Sequence, residues 1–134
     1  MQARTADTLA VLTSDDVVRV RQEVRRQAIE VGLGLVDQTK IVTAASELAR
    51  NLLDHAGGGV VQVEAISDIG RRGVRLTFED HGPGIKDVEK ALTDGYTTGK
   101  GLGLGLGGAR RLSNEFNIDT KVGEGTRITI ARWR

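Results

Sequence analysis

Glu47 and Asn51 stand four residues apart in a helical pattern, so their side chains point the same way. A carboxylate in that position can orient or deprotonate a hydroxyl or a water. An amide oxygen beside it suits Mg²⁺, which keeps several waters and completes its shell with phosphates. Further along, Asp80-His81-Gly82-Pro83-Gly84 follows a strand pattern. A buried carboxylate there can accept a hydrogen bond from an exocyclic amine such as that of adenine, and Gly82 and Gly84 let backbone approach a flat ring closely. The third feature is the run Gly101-Leu102-Gly103-Leu104-Gly105-Leu106-Gly107-Gly108, glycine-rich backbone leading into a helix. Free N–H groups and the dipole at such a helix start bind phosphate, and Lys100 adds a positive charge. Taken singly, these are an ordinary exposed helix face, an Asp that starts a turn, and a flexible linker. The regularly placed leucines, which want burial, weigh against the linker. Together the three features point to ATP.

Two familiar glycine motifs fail on context. Gly103, Gly105 and Gly108 satisfy G-x-G-x-x-G, but a dinucleotide site needs that motif directly after the first strand of a βαβ unit. Here it comes late and after a long polar stretch. Gly99-Lys100 suggests a phosphate loop, yet position 94 is Asp and Gly101 stands where Ser or Thr is required. His55 reads as an ordinary helix-end histidine and His81 as a loop residue. Nothing near His55 in its helix supplies the second histidine of a zinc site.

The elements that must hold these residues are legible in outline. Leu9 to Leu12 predicts a short edge strand, with Thr13 or Ser14 capping a helix over 15–31. That helix carries Val17, Val20, Val24, Ala28 and Val31 at helical spacing, with Gly32 and Gly34 ending it. A second helix is expected over 37–55, capped by Asp37. Its core stripe is Ile41, Ala45, Leu48 and Leu52, and a neighbouring stripe is Ala44, Glu47, Asn51, Asp54 and His55. Gly57-Gly58-Gly59 closes it. Strands are expected at Val60 to Ile66 and Val74 to Glu79 around a hairpin loop from Asp68 to Gly73. One helical turn is expected near Val88 to Leu92, a third helix from Leu104 to Phe116, and a closing hairpin of Ile118 to Val122 and Arg127 to Trp133. The order β-α-α-β-β-loop-α-β-β groups helices and antiparallel strands, giving an α+β two-layer sandwich.

Composition narrows the function classes. A length of 134 residues fits one domain, here taken as 1–134. A hydrophobic content of 39% with 28% charged residues reads as globular. The net charge of +1 provides no strong field toward nucleic acid or membrane. Aromatic content of 3% argues against base-stacking platforms for single strands. The absence of cysteine excludes disulfides and thiolate metal sites. No apolar run approaches the ~20 residues of a membrane span, and no secretion signal is evident, so the expected location is the cytoplasm.

In this order the three features resemble the ATP-binding fold shared by gyrase B, Hsp90, sensor histidine kinases and MutL, the Bergerat type. Glu47 to Asn51 looks like its N box. Asp80, Gly82 and Gly84 look like the first glycine box, and Gly101, Gly103 and Gly105 like the second. Gly125-Thr126 looks like the last box, whose threonine sits near adenine. The stretches from Ser46 to Asn51, Glu79 to Ile85, Arg111-Leu112 with Glu115-Phe116, and Gly123 to Thr126 look very like the RsbT-type serine/threonine kinases of the bacterial stressosome. The resemblance implies a mixed, mostly antiparallel sheet with helices on one face, and a lid over 86–100. It also implies an enzyme that phosphorylates Ser or Thr on STAS-domain proteins (RsbS- and RsbR-like) and then acts on an effector such as a PP2C-type phosphatase. The alternative is an anti-sigma or effector-binding switch in which ATP sets conformation. Position by position, the resemblance makes Glu47 the base, Asn51 the Mg²⁺ holder and Asp80 the adenine reader. Gly101, Gly103 and Gly105 become phosphate contacts. The family's anti-sigma kinases place an arginine near the phosphates, where this chain offers only Lys100.

Overall fold

Apolar stripes on two consecutive helices set the architecture. In the computed structural model, which describes residues 2–92 and 104–134, β1 (Gln2–Val11) leads into α1 (Ser14–Glu30) and α2 (Leu35–Ala56). Then follow β2 (Gly59–Asp68), β3 (Arg71–Asp80), a single turn α3 (Val88–Ala91), α4 (Leu104–Arg111), β4 (Glu115–Lys121) and β5 (Gly125–Trp133). The five strands form one sheet in the order β1-β2-β3-β5-β4. Val17, Val20, Val24 and Ala28 of α1, with Ile41, Ala45, Leu48 and Leu52 of α2, are buried against alternate residues of the sheet. Those residues are Val61, Val63 and Ala65 of β2, Val74, Leu76 and Phe78 of β3, and Ile128 and Ile130 of β5. The two-layer α+β sandwich read from the sequence is therefore the fold.

Every strand pairing is antiparallel, which corrects the expectation of a mixed sheet. Two helices lie between β1 and β2, so the chain reverses three times and returns antiparallel. β3 and β4 run the same way, but β5 is inserted between them and pairs antiparallel with both. The opposite face of the sheet is polar. There Arg75 grips Glu64 through two bonds of 3.0 Å, and Arg127 pairs with Glu79 at 3.1 Å.

Several boundaries differ from expectation for identifiable reasons. β1 extends back to Gln2 because it pairs with β2 along its length. Its polar stretch Ala6-Asp7-Thr8 hides the alternation. Gly34, not Asp37, is the N-cap of α2. Asp37 lies inside the first turn and accepts from Arg132 Nη2 at 2.7 Å and Nε at 3.1 Å, a bond to β5 that local pattern cannot reveal. The β2–β3 loop shrinks to Ile69-Gly70, since Arg71 and Arg72 join the ladder. Helix α4 stops at Arg111 instead of Phe116. Asn114 is hooked onto β5, its amide donating to the Ala131 carbonyl at 2.8 Å and its Oδ1 accepting from the Trp133 amide at 2.7 Å. Glu115 and Phe116 are thereby drawn into β4.

Two stability measurements check this account. Leu48 is 1% exposed between helix and sheet, so Leu48→Ala should cost about 2–5 kcal/mol in urea unfolding. Where the second half of α1 faces Asp7 of β1, Arg26 Nε donates to Glu23 Oε1 at 2.9 Å and Gln27 Nε2 donates to Glu23 Oε2 at 2.8 Å. The Arg26 bond, with those from Asp7 and Gln27, lowers the Glu23 carboxyl from 4.5 to about 2, while the neighbouring Asp7 is pushed up by its hydrogen bond with Glu23. A depressed carboxyl stabilises the fold fully above its unfolded value and less as pH falls toward its folded value. In thermal melts, Glu23→Gln should therefore be less stable than wild type at pH 7 and should lose less between pH 4.5 and about 2.

Candidate functional site

The rotation of α2 on the sheet decides which side chains meet. With Leu48 and Leu52 buried, the adjacent stripe turns Asn51 and His55 toward the ends of β3 and β5. A cavity of about 740 Å³ opens there, between α2, the segment after Asp80, α3, the start of α4 and the β4–β5 end. Its walls are largely apolar, from Leu48, Leu52, Phe78, Ile85, Ala91, Leu106 and Ile128. The polar side chains lining it are Asn51, His55, Asp80, Asp87, Thr126, and the lysines Lys86 and Lys90. An apolar body with a few convergent polar groups is the form of a small-molecule site.

Asp80 closes β3 and is 8% exposed, and Thr126 near the start of β5 is 6% exposed. The two are register partners. Asp80 Oδ1 accepts from the Gly82 amide at 2.9 Å, which folds the chain back after the strand. Gly82 and Gly84 are both needed here, but for a different reason than the sequence suggested. A Cβ on Gly82 would lie 2.6 Å from the Ala56 Cβ at the end of α2. Gly84 has φ +75, and a Cβ there would lie 2.5 Å from the Lys121 carbonyl oxygen. The glycines let this turn press against the chain's own helix end and hairpin. Gly84 lines the cavity and Gly82 does not.

His55 has more than a helix-end role. Its Nε2 is 3.0 Å from the Gly84 carbonyl oxygen, tying α2 to the turn across the cavity. Spacing had placed His55 on the right stripe, but only the fold supplies its partner. Lys86 and Lys90 are cavity groups that the sequence reading did not single out. His81 is exposed, as expected of a loop residue.

Glu47 sits one turn before Asn51 on the same stripe and is exposed, while Asn51 is half-buried and lines the cavity. Lys100, Gly101 and Gly103, with most of the expected lid, lie outside the described residues, and Gly105 is described only as backbone of α4. Among the described residues no three His, Cys, Asp or Glu side chains converge as a metal site. The Asn51 side chain lines the cavity, and its amide oxygen is a donor of the type that fits a Mg²⁺ ion arriving with phosphates. No helix among the described residues is long and apolar enough to cross a membrane.

Residues 36–134 match the family model described as histidine kinase-, DNA gyrase B-, and HSP90-like ATPase. The chain is 46% identical over 123 residues to the serine/threonine-protein kinase RsbT of Bacillus subtilis, covering 92% of each. It is 35% identical over 105 residues to the anti-sigma F factor of Anoxybacillus flavithermus, covering 73% of this chain and 70% of that one. Among solved structures, the RsbU and RsbW domains of a Mycobacterium tuberculosis protein superpose with a TM-score of 0.63 at 24% identity. That match covers 96% of this chain and 33% of the other, and carries the fold alone. With family model and fold in agreement, the chain belongs to the histidine kinase-, DNA gyrase B- and HSP90-like ATPase family and, within it, to the RsbT-type serine/threonine-protein kinases.

Proposed function

We propose that this kinase transfers the γ-phosphoryl group of Mg²⁺-ATP to a Ser or Thr on a STAS-domain protein (RsbS- or RsbR-like) of a stressosome. Its release then switches a downstream effector such as a PP2C-type phosphatase. The observation that carries the reading is the placement of Glu47, exposed and one helical turn from the cavity-lining Asn51. A base that serves a hydroxyl on another protein has to be reachable from outside. A cytoplasmic location fits such a partner.

Bound Mg²⁺-ATP supplies the phosphoryl group and neutralises its charge; phosphoryl transfer asks the protein mainly for positioning and electrostatics. Asn51 would hold the metal through its amide oxygen. Asp80 would accept from the 6-amino group of adenine, beside Thr126. Lys100 and the glycines at 101, 103 and 105 would contact the phosphates, with Lys86 and Lys90 at the cavity wall adding positive charge. Glu47 would take the proton of the incoming hydroxyl as its oxygen bonds to phosphorus and ADP leaves.

A second reading is favoured by the 35% identity to an anti-sigma F factor. In it the chain sequesters a sigma factor or an effector by contact, with nucleotide setting the conformation. Incubation with labelled ATP, STAS-domain proteins and a sigma factor separates the two: stoichiometric capture without label transfer favours the second.

Single substitutions test the assigned roles. Glu47→Ala should lower transfer about 10²–10⁴-fold, the usual contribution of a general base, with ATP affinity nearly unchanged. Asp80→Asn should instead abolish measurable ATP binding in calorimetry. Label transfer by Glu47→Ala at the wild-type rate would remove Glu47 from the mechanism.

A further inference from the structure

Asp80, Thr126 and Thr120 form one row across three strands. Asp80 is the register partner of Thr126, and Thr126 that of Thr120. Two residues inward along each strand, Phe78, Ile128 and Ile118 pack in the core. The alternation of strand side chains therefore puts the whole row on the helix-facing side. Asp80 and Thr126 line the cavity, and Thr120, half-buried on β4, stands behind Thr126.

Thr120 Oγ1 has three neighbours at hydrogen-bond distance. The Ile85 amide donates to it at 2.9 Å, the Gly125 carbonyl oxygen lies at 3.2 Å, and Thr126 Oγ1 lies at 2.8 Å. A hydroxyl has one proton to give and two lone pairs. One lone pair is taken by the Ile85 amide. The Gly125 carbonyl can only accept, so it takes the Thr120 proton. The remaining lone pair then accepts the proton of Thr126. This arrangement satisfies all three neighbours, whereas the reverse direction leaves the Gly125 carbonyl without its hydroxyl partner, a cost in a partly buried site.

We propose that Thr120 is a specificity-determining positioning residue: by drawing in the Thr126 proton, it leaves the base-reading wall made of acceptors only. Thr126 then turns lone pairs toward the cavity beside the Asp80 carboxylate. At the exocyclic position such a wall accepts from a 6-amino group, directly or through a water, and opposes a 6-oxo group, whose carbonyl would meet oxygen lone pairs. The inference rests on the nucleotide reading of the cavity and adds to it how adenine is told from hypoxanthine or guanine.

The test is equilibrium binding of ATP and ITP, which differ at the 6-substituent and the N1 proton beside it and lack the extra amine of guanine. Thr120→Val keeps the shape but frees the Thr126 hydroxyl to donate. The ATP-to-ITP affinity ratio should fall about tenfold, the scale of one buried hydrogen bond made or unmade. Thr120→Ser should restore the wild-type ratio. An unchanged ratio in Thr120→Val, or an equal fall in Thr120→Ser, would overturn the proposal while leaving the ATP site intact. Failure of the wild type to bind either nucleotide would instead remove the underlying site reading. If Thr120→Val does not fold, NMR of the ATP-loaded wild type decides. The Thr126 hydroxyl proton should show contacts to Thr120 and the Ile85 amide, and contacts to adenine H2 in their place would overturn the proposal.

Discussion

The seating of α2 on the sheet is the constraint from which the site follows. Ile41, Ala45, Leu48 and Leu52 are at most 4% exposed, so the helix cannot rotate without exposing its core stripe. At ~100° per residue, that fixed stripe sets the direction of the next one, and Asn51 and His55 must face the sheet end. The far end of the helix is then locked by contacts unrelated to the stripe. His55 reaches the Gly84 carbonyl at 3.0 Å, and Gly82 packs against Ala56. Hydrophobic burial thus aims the polar groups, and a few directional contacts hold the aim.

The sheet contributes a constraint of another kind. Asp80, Thr126 and Thr120 meet only because β3, β5 and β4 pair in one register. A one-residue slip in a strand would send its side chain to the opposite face. That register is held by core residues two positions inward and, at the other end of β5, by Asn114 and by Arg132 bonded to Asp37. The polar row at the cavity therefore depends on packing and ion pairing along the whole of β5, well beyond the residues that touch the cavity.

This explains which parts were legible in the sequence. The helix stripes could be read because the 3.6-residue period is local, and every residue assigned to the two core stripes is buried. Asp80 stood out because an acid between a strand and a glycine turn is a local signal. Thr120 gave none. Its importance arises from pairing with β5 and from the Ile85 amide, 35 positions away in the chain. The same holds for Arg132 on Asp37 and for Asn114, whose bonds to β5 end a helix that propensity alone would continue. The glycines at 82 and 84 were singled out for approach to a flat ring, whereas the close approach the fold shows is to Ala56 and to the Lys121 carbonyl of the chain itself.

On the proposed reading, the two kinds of positioning serve different steps. Base recognition asks for fixed donors and acceptors shielded from water, because polar groups discriminate best where an unmatched partner has no solvent to fall back on. Asp80 and Thr126, 8% and 6% exposed at a sheet end, meet that requirement. Proton removal from a partner's hydroxyl asks for the opposite, a carboxylate within reach of solvent and protein. Glu47 is exposed, yet it shares a rigid helix with Asn51. Phosphoryl transfer depends mainly on the relative placement of acceptor, phosphate and metal. Mounting the proposed base and the proposed metal-holding amide four residues apart on one buried-stripe helix would fix that placement without enclosing the acceptor. A helix with both residues buried would suit hydrolysis by water; the exposure of Glu47 suits transfer to another protein.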